Sequence, residues 1–184
     1  MTSEGPFATL VGKIVAVHEL LDSVNVAHQF GGAIALAWYR SPRATADIDL
    51  NVTVAPEDAS PVLGALRHIG VTVKPKDRAT VARDGQVRLE WDTAYLDLFF
   101  ATLDLHDQMA ERCQIVPFAG VELPILSAEH LTICKAVFNR SKDWVDIESM
   151  VAWGTAIDWD EVLSWIDRIL GRDSEPYRKL VAIQ

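Results

Sequence analysis

Two aspartates one residue apart lie inside a strand-like segment. Asp47 and Asp49 alternate there with Ile48 and Leu50. Successive side chains of an extended strand point to opposite faces, so the two carboxylates share one face, roughly 7 Å apart. Ionised carboxylates placed together repel each other unless a cation compensates them. Mg²⁺ accepts carboxylate and phosphate oxygens together, so this segment predicts a metal site that also receives phosphate.

A double glycine comes before the aspartates. Gly31 and Gly32 fall between a predicted strand, 26–30, and a predicted helix, 33–39. We expect the bare backbone N–H groups at this helix start to face the same side as the aspartates and to attract phosphate. Gly-Gly and Asp-x-Asp are each weak signals, but their order and combination are more specific. His28 lies close to this turn, and we interpret it as a core residue.

A third acid, Asp97, lies at the centre of an apolar, β-prone run, 94–100. Such a position is unusual for a carboxylate unless something compensates it. Glu90 and Asp92 are the alternatives for a third acid, and we favour Asp97 because both of its neighbours are apolar. The hypothesis requires the strand of Asp97 to lie beside the strand of Asp47.

The pattern GG-x(14)-DxD followed by a later strand aspartate resembles the nucleotidyltransferase fold shared with DNA polymerase beta. The segment RATADIDL, Arg43 to Leu50, is similar to the AbiEii/AbiGii toxin-type branch, and so is KAVFNRSKDWVDI, Lys135 to Ile147. The resemblance implies an α+β fold, with a mixed β-sheet flanked by helices. It implies a nucleotidyltransferase core over 1–125 and a C-terminal helical segment over 126–184.

The same resemblance implies a metal-dependent transfer of a nucleoside monophosphate from a nucleoside triphosphate to an acceptor hydroxyl. Asp47, Asp49 and Asp97 would be the catalytic residues and the ligands of Mg²⁺ or Mn²⁺. The residues expected to bind the nucleotide or close its cleft are Gly31, Gly32, Arg43, Thr45, Lys135, Lys142, Asp143 and Asp146. For the acids of the last group, a favourable helix N-terminus is an equally good explanation.

Three functions remain open. The first is a toxin of a toxin–antitoxin system that modifies RNA, such as tRNA, or a protein, with a cognate antitoxin as partner. The second is a transferase acting on a small molecule of the antibiotic type. The third is a non-catalytic nucleotide-binding module, which the presence of all three carboxylates disfavours. The acceptor, the base of the triphosphate and the oligomeric state do not follow from the residues.

Composition sets broad bounds. The 184 residues are 49% hydrophobic and 23% charged, which is typical of one globular domain with a real core. The net charge of −9 argues against a general nucleic-acid-coating surface, leaves room for a local basic groove, and favours a basic partner or a homodimer. No apolar run approaches the roughly 18 residues of a membrane span, and the N-terminus lacks signal-peptide features, so we expect a cytoplasmic protein. The spacing of Cys113 and Cys134 predicts two reduced thiols.

The remaining patterns predict the elements that position these residues. We expect helices over 7–22, 56–68 and 103–112, a helix from Ser127 to Arg140, another from Lys142, and a last one from Asp158 to Gly171. Hairpins are predicted at Asp84-Gly85, Asp92-Thr93 and Ala119-Gly120. The tail 172–184 is expected to be partly mobile or to pair with a partner. The tryptophans expected to anchor the core or an interface are Trp153, Trp159 and Trp165.

Overall fold

The structure, a computed structural model, describes residues 8–184, so Phe7 of the first predicted helix lies outside the described residues. The helices are α1 Leu10–Ser23, α2 Gly32–Leu36, α3 Ala59–Arg67, α4 Asp77–Asp84, α5 Leu105–Glu111, α6 Ala128–Phe138, α7 Ser141–Ala152, α8 Trp159–Leu170 and α9 Glu175–Ile183. The strands are β1 His28–Phe30, β2 Asp47–Val52, β3 Gln86–Trp91, β4 Ala94–Phe100, β5 Gln114–Phe118 and β6 Val121–Ile125.

The six strands form one mixed sheet in the order β3-β4-β2-β1-β6-β5. β2 runs parallel to β4 and antiparallel to β1, and β1 runs parallel to β6. Hairpins join β3 to β4 and β5 to β6. The predicted α+β fold with a mixed sheet and flanking helices is therefore confirmed.

The central strands alternate between a core face and an open face. Ile48 and Leu50 of β2 and Leu96 and Leu98 of β4 are fully buried on the core face, where α1 and α3 lie. The residues between them point to the opposite face, as the period of two predicted. The sequence therefore separates a packed face from an open face that carries the aspartates within the same strands.

The hairpin predicted at Asp84-Gly85 is wrong. Residues Asp77–Asp84 form helix α4, and Gly85 ends it in the left-handed conformation with φ of +67°. A helix C-cap and a two-residue hairpin both need positive φ, so Asp-Gly is a signal for either. The hairpin predicted at Asp92-Thr93 is confirmed, because β3 and β4 pair antiparallel across these two residues.

The C-terminal part, from α6 onward, is entirely helical. The tail expected to be mobile instead forms α9, which packs against α6 and α8 with Leu180 fully buried. Trp165 is buried as expected, whereas Trp153 is 68% exposed and is not a core residue. The division of the chain at 125/126 stays a prediction.

Two smaller expectations concern the thiols and the membrane. Cys113 and Cys134 are both free, as the spacing predicted. Within residues 8–184, no helix is long and apolar enough to cross a membrane.

The packing of α9 predicts the effect of shortening Leu180. Leu180→Ala should lower the free energy of unfolding by about 2–3 kcal/mol, because a buried leucine leaves a cavity. Val181 follows it on the same helix and is 44% exposed, so Val181→Ala should change stability by less than about 0.5 kcal/mol. Urea unfolding of both variants measures the difference. Equal losses would show that α9 does not pack as described.

Candidate active site

The three predicted aspartates meet on the open face of the sheet. In the parallel pairing of β2 with β4, Asp49 lies directly opposite Asp97, and Asp47 opposite Tyr95. Neighbouring strands are about 4.8 Å apart, so the carboxylates of Asp49 and Asp97 project side by side. The juxtaposition that the sequence hypothesis required is therefore present.

Arg88 of β3 bridges two of these acids. It is the cross-strand partner of Asp97 in the β3–β4 hairpin. Its guanidinium lies 2.9 Å from an Asp47 oxygen and 3.4 Å from an Asp97 oxygen, and it stacks 4.6 Å from the centre of the Tyr95 ring. The sequence analysis did not assign Arg88 to the site. One cation thus already compensates part of the carboxylate repulsion.

Burial perturbs the remaining charge. It raises the pKa of Asp49, and the neighbouring Asp47 carboxylate raises it further, against the opposing effect of Lys135 and Arg140. Burial also raises the pKa of Asp97 to about 6, although Arg88 beside it acts in the opposite direction. Both carboxyls therefore hold a proton more tightly than usual, which is a state that a bound cation would relieve.

The glycine turn is built around Asp49. Gly32 has φ of +51°, and a Cβ added to it would overlap the Asp49 carboxylate. The predicted bare amide at Gly31 is wrong, because its N–H donates to the Asp49 carbonyl at 2.9 Å. The N–H groups of Gly32 and Ala33, in the first turn of the five-residue helix α2, have no carbonyl of the preceding turn to bond.

A buried ion network forms the wall behind the turn. Asp146 accepts from Arg40 at 2.8 Å, from Lys135 at 2.7 Å and from Arg43 at 3.4 Å. Burial alone would raise the pKa of Asp146, but Lys135 and Arg43 outweigh it and hold the pKa below its usual value. The ammonium of Lys135 therefore binds Asp146 in this structure.

Asp143 orients a second arginine at the same wall. Arg140 caps α7, and its guanidinium donates to Asp143 at 2.7 and 3.1 Å. Asp143 is buried, and Lys135 lies 4.0 Å from it. Across the two acids of the wall, four cationic side chains face two carboxylates, so the wall carries a surplus of positive charge.

The other predicted nucleotide-binding residues lie at the margin. The Thr45 hydroxyl accepts from the Asp47 N–H at 3.1 Å and fixes the turn into β2. Lys142 is exposed at the start of α7. Arg43, already in the network, is 39% exposed at its side chain.

The alternative acids and His28 do not join the carboxylates. Glu90 accepts from Lys74 at 2.8 Å, and Asp92 pairs with Lys13 at 3.4 Å. His28 is buried on the core face of β1, where it bonds to His18. The choice of Asp97, and the assignment of His28 to the core, agree with these positions.

Two adjoining cavities open beside the carboxylates. One of about 230 Å³ runs from the glycine turn past Arg140 and is lined by Phe99 and Phe138. The other, of about 320 Å³, holds Asp49, Asp97, Arg88 and again Arg140. Arg140 therefore lines both cavities. Like Arg88, it was not assigned to the site from the sequence.

The donor set suits a hard divalent cation. The three carboxylates share one face, and the raised pKa values of two of them reflect charge that lacks full compensation. Their oxygens are wider apart than the ligands of one ion: in residues 8–184, three ligand atoms lie within 4.8 Å of one another only in the cluster of His18, Asp22 and His28. Arg88 between Asp47 and Asp97 accounts for that separation.

Comparison with known proteins identifies the fold. No family model and no curated protein matches the sequence. The solution structure of the antibiotic-resistance factor ANT(2'')-Ia is 18% identical, with a TM-score of 0.61, covering 96% of this chain and 97% of that one. Its crystal structure with adenylyl-2''-tobramycin is 16% identical, with a TM-score of 0.61 over 89% and 98% of the chains. The chain has the nucleotidyltransferase fold.

A third structure agrees. The lincomycin-bound lincosamide antibiotic adenylyltransferase LnuA is 15% identical, with a TM-score of 0.52, and the match covers 77% of this chain and 96% of that one. The fold implied by the sequence resemblance is therefore confirmed, and the toxin-type branch stays a prediction.

The close contact at Gly32 predicts a steep effect of a single methyl group. Gly32→Ala should lower the free energy of unfolding by about 3 kcal/mol, because it adds positive-φ strain and displaces Asp49. Gly64 in α3 has nothing within 4 Å of an added Cβ, so Gly64→Ala should be neutral or stabilising by up to about 1 kcal/mol. Thermal unfolding compares them. A harmless Gly32→Ala would contradict the described turn.

The raised pKa of Asp97 predicts a pH dependence of stability. Between about pH 4 and pH 6 the Asp97 carboxyl binds more protons in the folded state than in the unfolded state. The free energy of unfolding therefore falls as pH rises through this window. Asp97→Asn should remove that fall and be about 1–2 kcal/mol more stable than wild type at pH 7.5, with no gain at pH 4. Urea titrations at several pH values measure it.

The exposed Asp107 of α5 supplies the control. Asp107→Asn should leave the pH profile of stability unchanged. A profile for Asp97→Asn that is parallel to wild type would show that Asp97 titrates normally.

Proposed function

We propose that this chain is a metal-dependent nucleotidyltransferase that moves a nucleoside monophosphate from a nucleoside triphosphate to an acceptor hydroxyl. The observation that carries the proposal is the pairing of Asp49 with Asp97 on adjacent parallel strands, with Asp47 on the same face. Asp49 and Asp97 open onto cavities that also hold the glycine turn and Arg140. The fold, shared with antibiotic adenylyltransferases, supports the same reaction class.

Asp47, Asp49 and Asp97 would hold Mg²⁺ or Mn²⁺. When bound, the cation neutralises charge on the phosphate oxygens and aligns the entering and leaving oxygens. Arg88 must leave its position between Asp47 and Asp97 for the carboxylates to close on a cation. Since its side chain is 52% exposed, a rotation toward the phosphates is open to it.

Asp97 is suited to receive the proton of the acceptor. In the metal-free protein burial raises its pKa to about 6, and Asp97 would take the proton in place of a role as metal ligand, not in addition to it. As the proton moves to Asp97, the acceptor oxygen forms its bond to the α-phosphorus. The bond from that phosphorus to the bridging oxygen breaks, and pyrophosphate leaves with the electron pair.

The positive wall would bind the triphosphate. Arg140 is held by Asp143 and lines both cavities, so its guanidinium is fixed before a ligand arrives. Gly31 and Gly32 line one of the two cavities that Arg140 lines. Lys135 and Arg43 would contribute positive charge at longer range. Thr45 would hold the start of β2, and with it Asp47, in position. Lys142 adds a surface charge near the entrance.

The acceptor is the finer part of the proposal. Similarity to antibiotic adenylyltransferases over nearly their whole length favours a small-molecule acceptor. The rings of Phe99 and Phe138 lie 5.7 Å apart and line the cavity of about 230 Å³, which favours an acceptor with an apolar body. The RATADIDL and KAVFNRSKDWVDI motifs favour the toxin-type alternative, with tRNA or a protein as acceptor and an antitoxin as partner.

Transfer of label tests the reaction. The full chain is incubated with each α-labelled nucleoside triphosphate, Mg²⁺ or Mn²⁺, and separate pools of tRNA, protein and hydroxyl-bearing small molecules. We expect label on one pool with wild type. Asp49→Asn should lower that transfer at least about 1,000-fold, about 4 kcal/mol of barrier, while keeping or raising the melting temperature.

Glu90→Gln is the matched control, because Glu90 is an exposed acid on the neighbouring strand that pairs with Lys74. It should retain full transfer. Label on the small-molecule pool supports the antibiotic-type function, and label on tRNA or protein with growth arrest on expression supports the toxin type. Nucleotide binding without any transfer would contradict the proposal and favour a non-catalytic module.

A further inference from the structure

A second group of metal-ligating side chains lies on the core face of the sheet. One ring nitrogen from each of His18 and His28 and one carboxylate oxygen of Asp22 all lie within 4.8 Å of one another. His18 and Asp22 are one helical turn apart on α1, and His28 begins β1. This cluster belongs to neither cavity of the candidate active site.

The position of His28 separates the two sites. His28 pairs with Val52, while the next residue, Gln29, pairs with Asn51, which lines the cavity of about 230 Å³ beside the glycine turn. Alternation along β1 therefore turns His28 away from the aspartates and toward α1. A ligand bound at His28 would join α1 to the strand that leads into the glycine turn.

The hydrogen bonds already orient His28 as a ligand. Its Nδ1 lies 2.8 Å from the Val26 carbonyl oxygen, which fixes the proton there and leaves Nε2 with a free electron pair. A ring N–H held by a backbone carbonyl is the usual support of a metal-bound histidine. That Nε2 accepts a hydrogen bond from His18 Nδ1, 2.9 Å away, which a cation bound between the two rings would replace.

The spacing of the three donors fits one small cation. Two ligands of a tetrahedral ion with bonds of about 2.0–2.1 Å stand about 3.3 Å apart. The two histidine nitrogens, 2.9 Å apart, need to separate only slightly to reach that value, and the Asp22 carboxylate, now 3.6 Å from the other ring nitrogen of His18, would turn toward the ion. The histidines are buried, and the Asp22 side chain is 64% exposed, so it can turn toward an ion and leaves a path from solvent.

We propose that His18, His28 and Asp22 form a site for Zn²⁺ that fastens α1 to β1. Two imidazoles and one carboxylate suit a borderline cation such as Zn²⁺ and are a poor set for Mg²⁺, which prefers oxygen ligands. Three protein ligands leave one position for water. The site lies across the sheet from the aspartates, so Zn²⁺ bound there would stabilise the fold and take no direct part in nucleotidyl transfer.

Calorimetric titration with Zn²⁺ tests the site. The full chain is stripped with a chelator, dialysed, and titrated with ZnCl₂ in excess Mg²⁺, which occupies sites made only of carboxylates. We expect one Zn²⁺ per chain and a rise of the melting temperature with added Zn²⁺. No binding in wild type would overturn the proposal and leave a hydrogen-bonded histidine pair.

Variants assign the binding to these residues. His28→Gln should abolish Zn²⁺ binding, and Asp22→Asn should weaken it about 10- to 100-fold. Glu19→Gln is the matched control, an exposed acid on the same helix, and should bind as wild type does. If His28→Gln fails to fold, the Zn²⁺ affinity of Asp22→Asn still tests the site, because Asp22 is exposed. Wild-type affinity in Asp22→Asn, or equal losses in Glu19→Gln, would overturn the site.

Asp47→Asn with Asp49→Asn separates this site from the candidate active site. That double variant should keep its Zn²⁺ affinity and its stabilisation by Zn²⁺, because none of the three ligands changes. Loss of Zn²⁺ binding in it would place the ion at the aspartates instead and would overturn the proposal.

Discussion

Three carboxylates on one face of the sheet repel one another, and the surrounding structure must compensate their charge. Parallel pairing of β2 with β4 sets Asp49 opposite Asp97, and the alternation of β2 adds Asp47. The apolar residues between them fill the core, so the acids cannot leave this face without exposing that core. The carboxylates are thus held together by hydrophobic packing that takes no part in their chemistry. Their charge must be balanced locally, and the raised pKa values of Asp49 and Asp97 show that the balance is incomplete.

The compensation is arranged in two layers. In front, Arg88 contacts Asp47 and Asp97 directly from an exposed strand position, where it can be displaced. Behind, Lys135 is buried and bound to Asp146, where it cannot move without leaving a charge unpaired. An exposed cation therefore faces the acids, and buried ion pairs lie behind them. The buried acids of α7 hold the cationic side chains of Lys135 and Arg140 in place, which gives the KAVFNRSKDWVDI segment a structural role.

The acids were predictable from the sequence because strand alternation and apolar neighbours are local signals. Asp47, Asp49 and Asp97 followed from them, whereas the cation that bridges them did not. Arg88 was within reach, since a two-residue turn at Asp92-Thr93 fixes the hairpin register and places residue 88 opposite 97. Arg140 was not, because its position depends on how α7 docks on the core, which no local pattern encodes. The hairpin predicted at Asp84-Gly85 is wrong because Asp-Gly ends a helix and turns a hairpin through the same positive φ.

The glycine turn shows why residue type and contact geometry must be considered together. From the sequence, two glycines indicated open amides for phosphate. In the structure, the N–H of Gly31 donates to the Asp49 carbonyl. Residue 32 must be a glycine because the Asp49 carboxylate lies where a Cβ would be. The turn therefore serves first to position the Asp49 carboxylate. Because β1 leads directly into this turn, whatever fastens β1 to α1 on the core face also fixes Asp49 on the open face. The two faces of the sheet are chemically separate, but this strand makes the position of the acids depend on the packing of the histidines behind it.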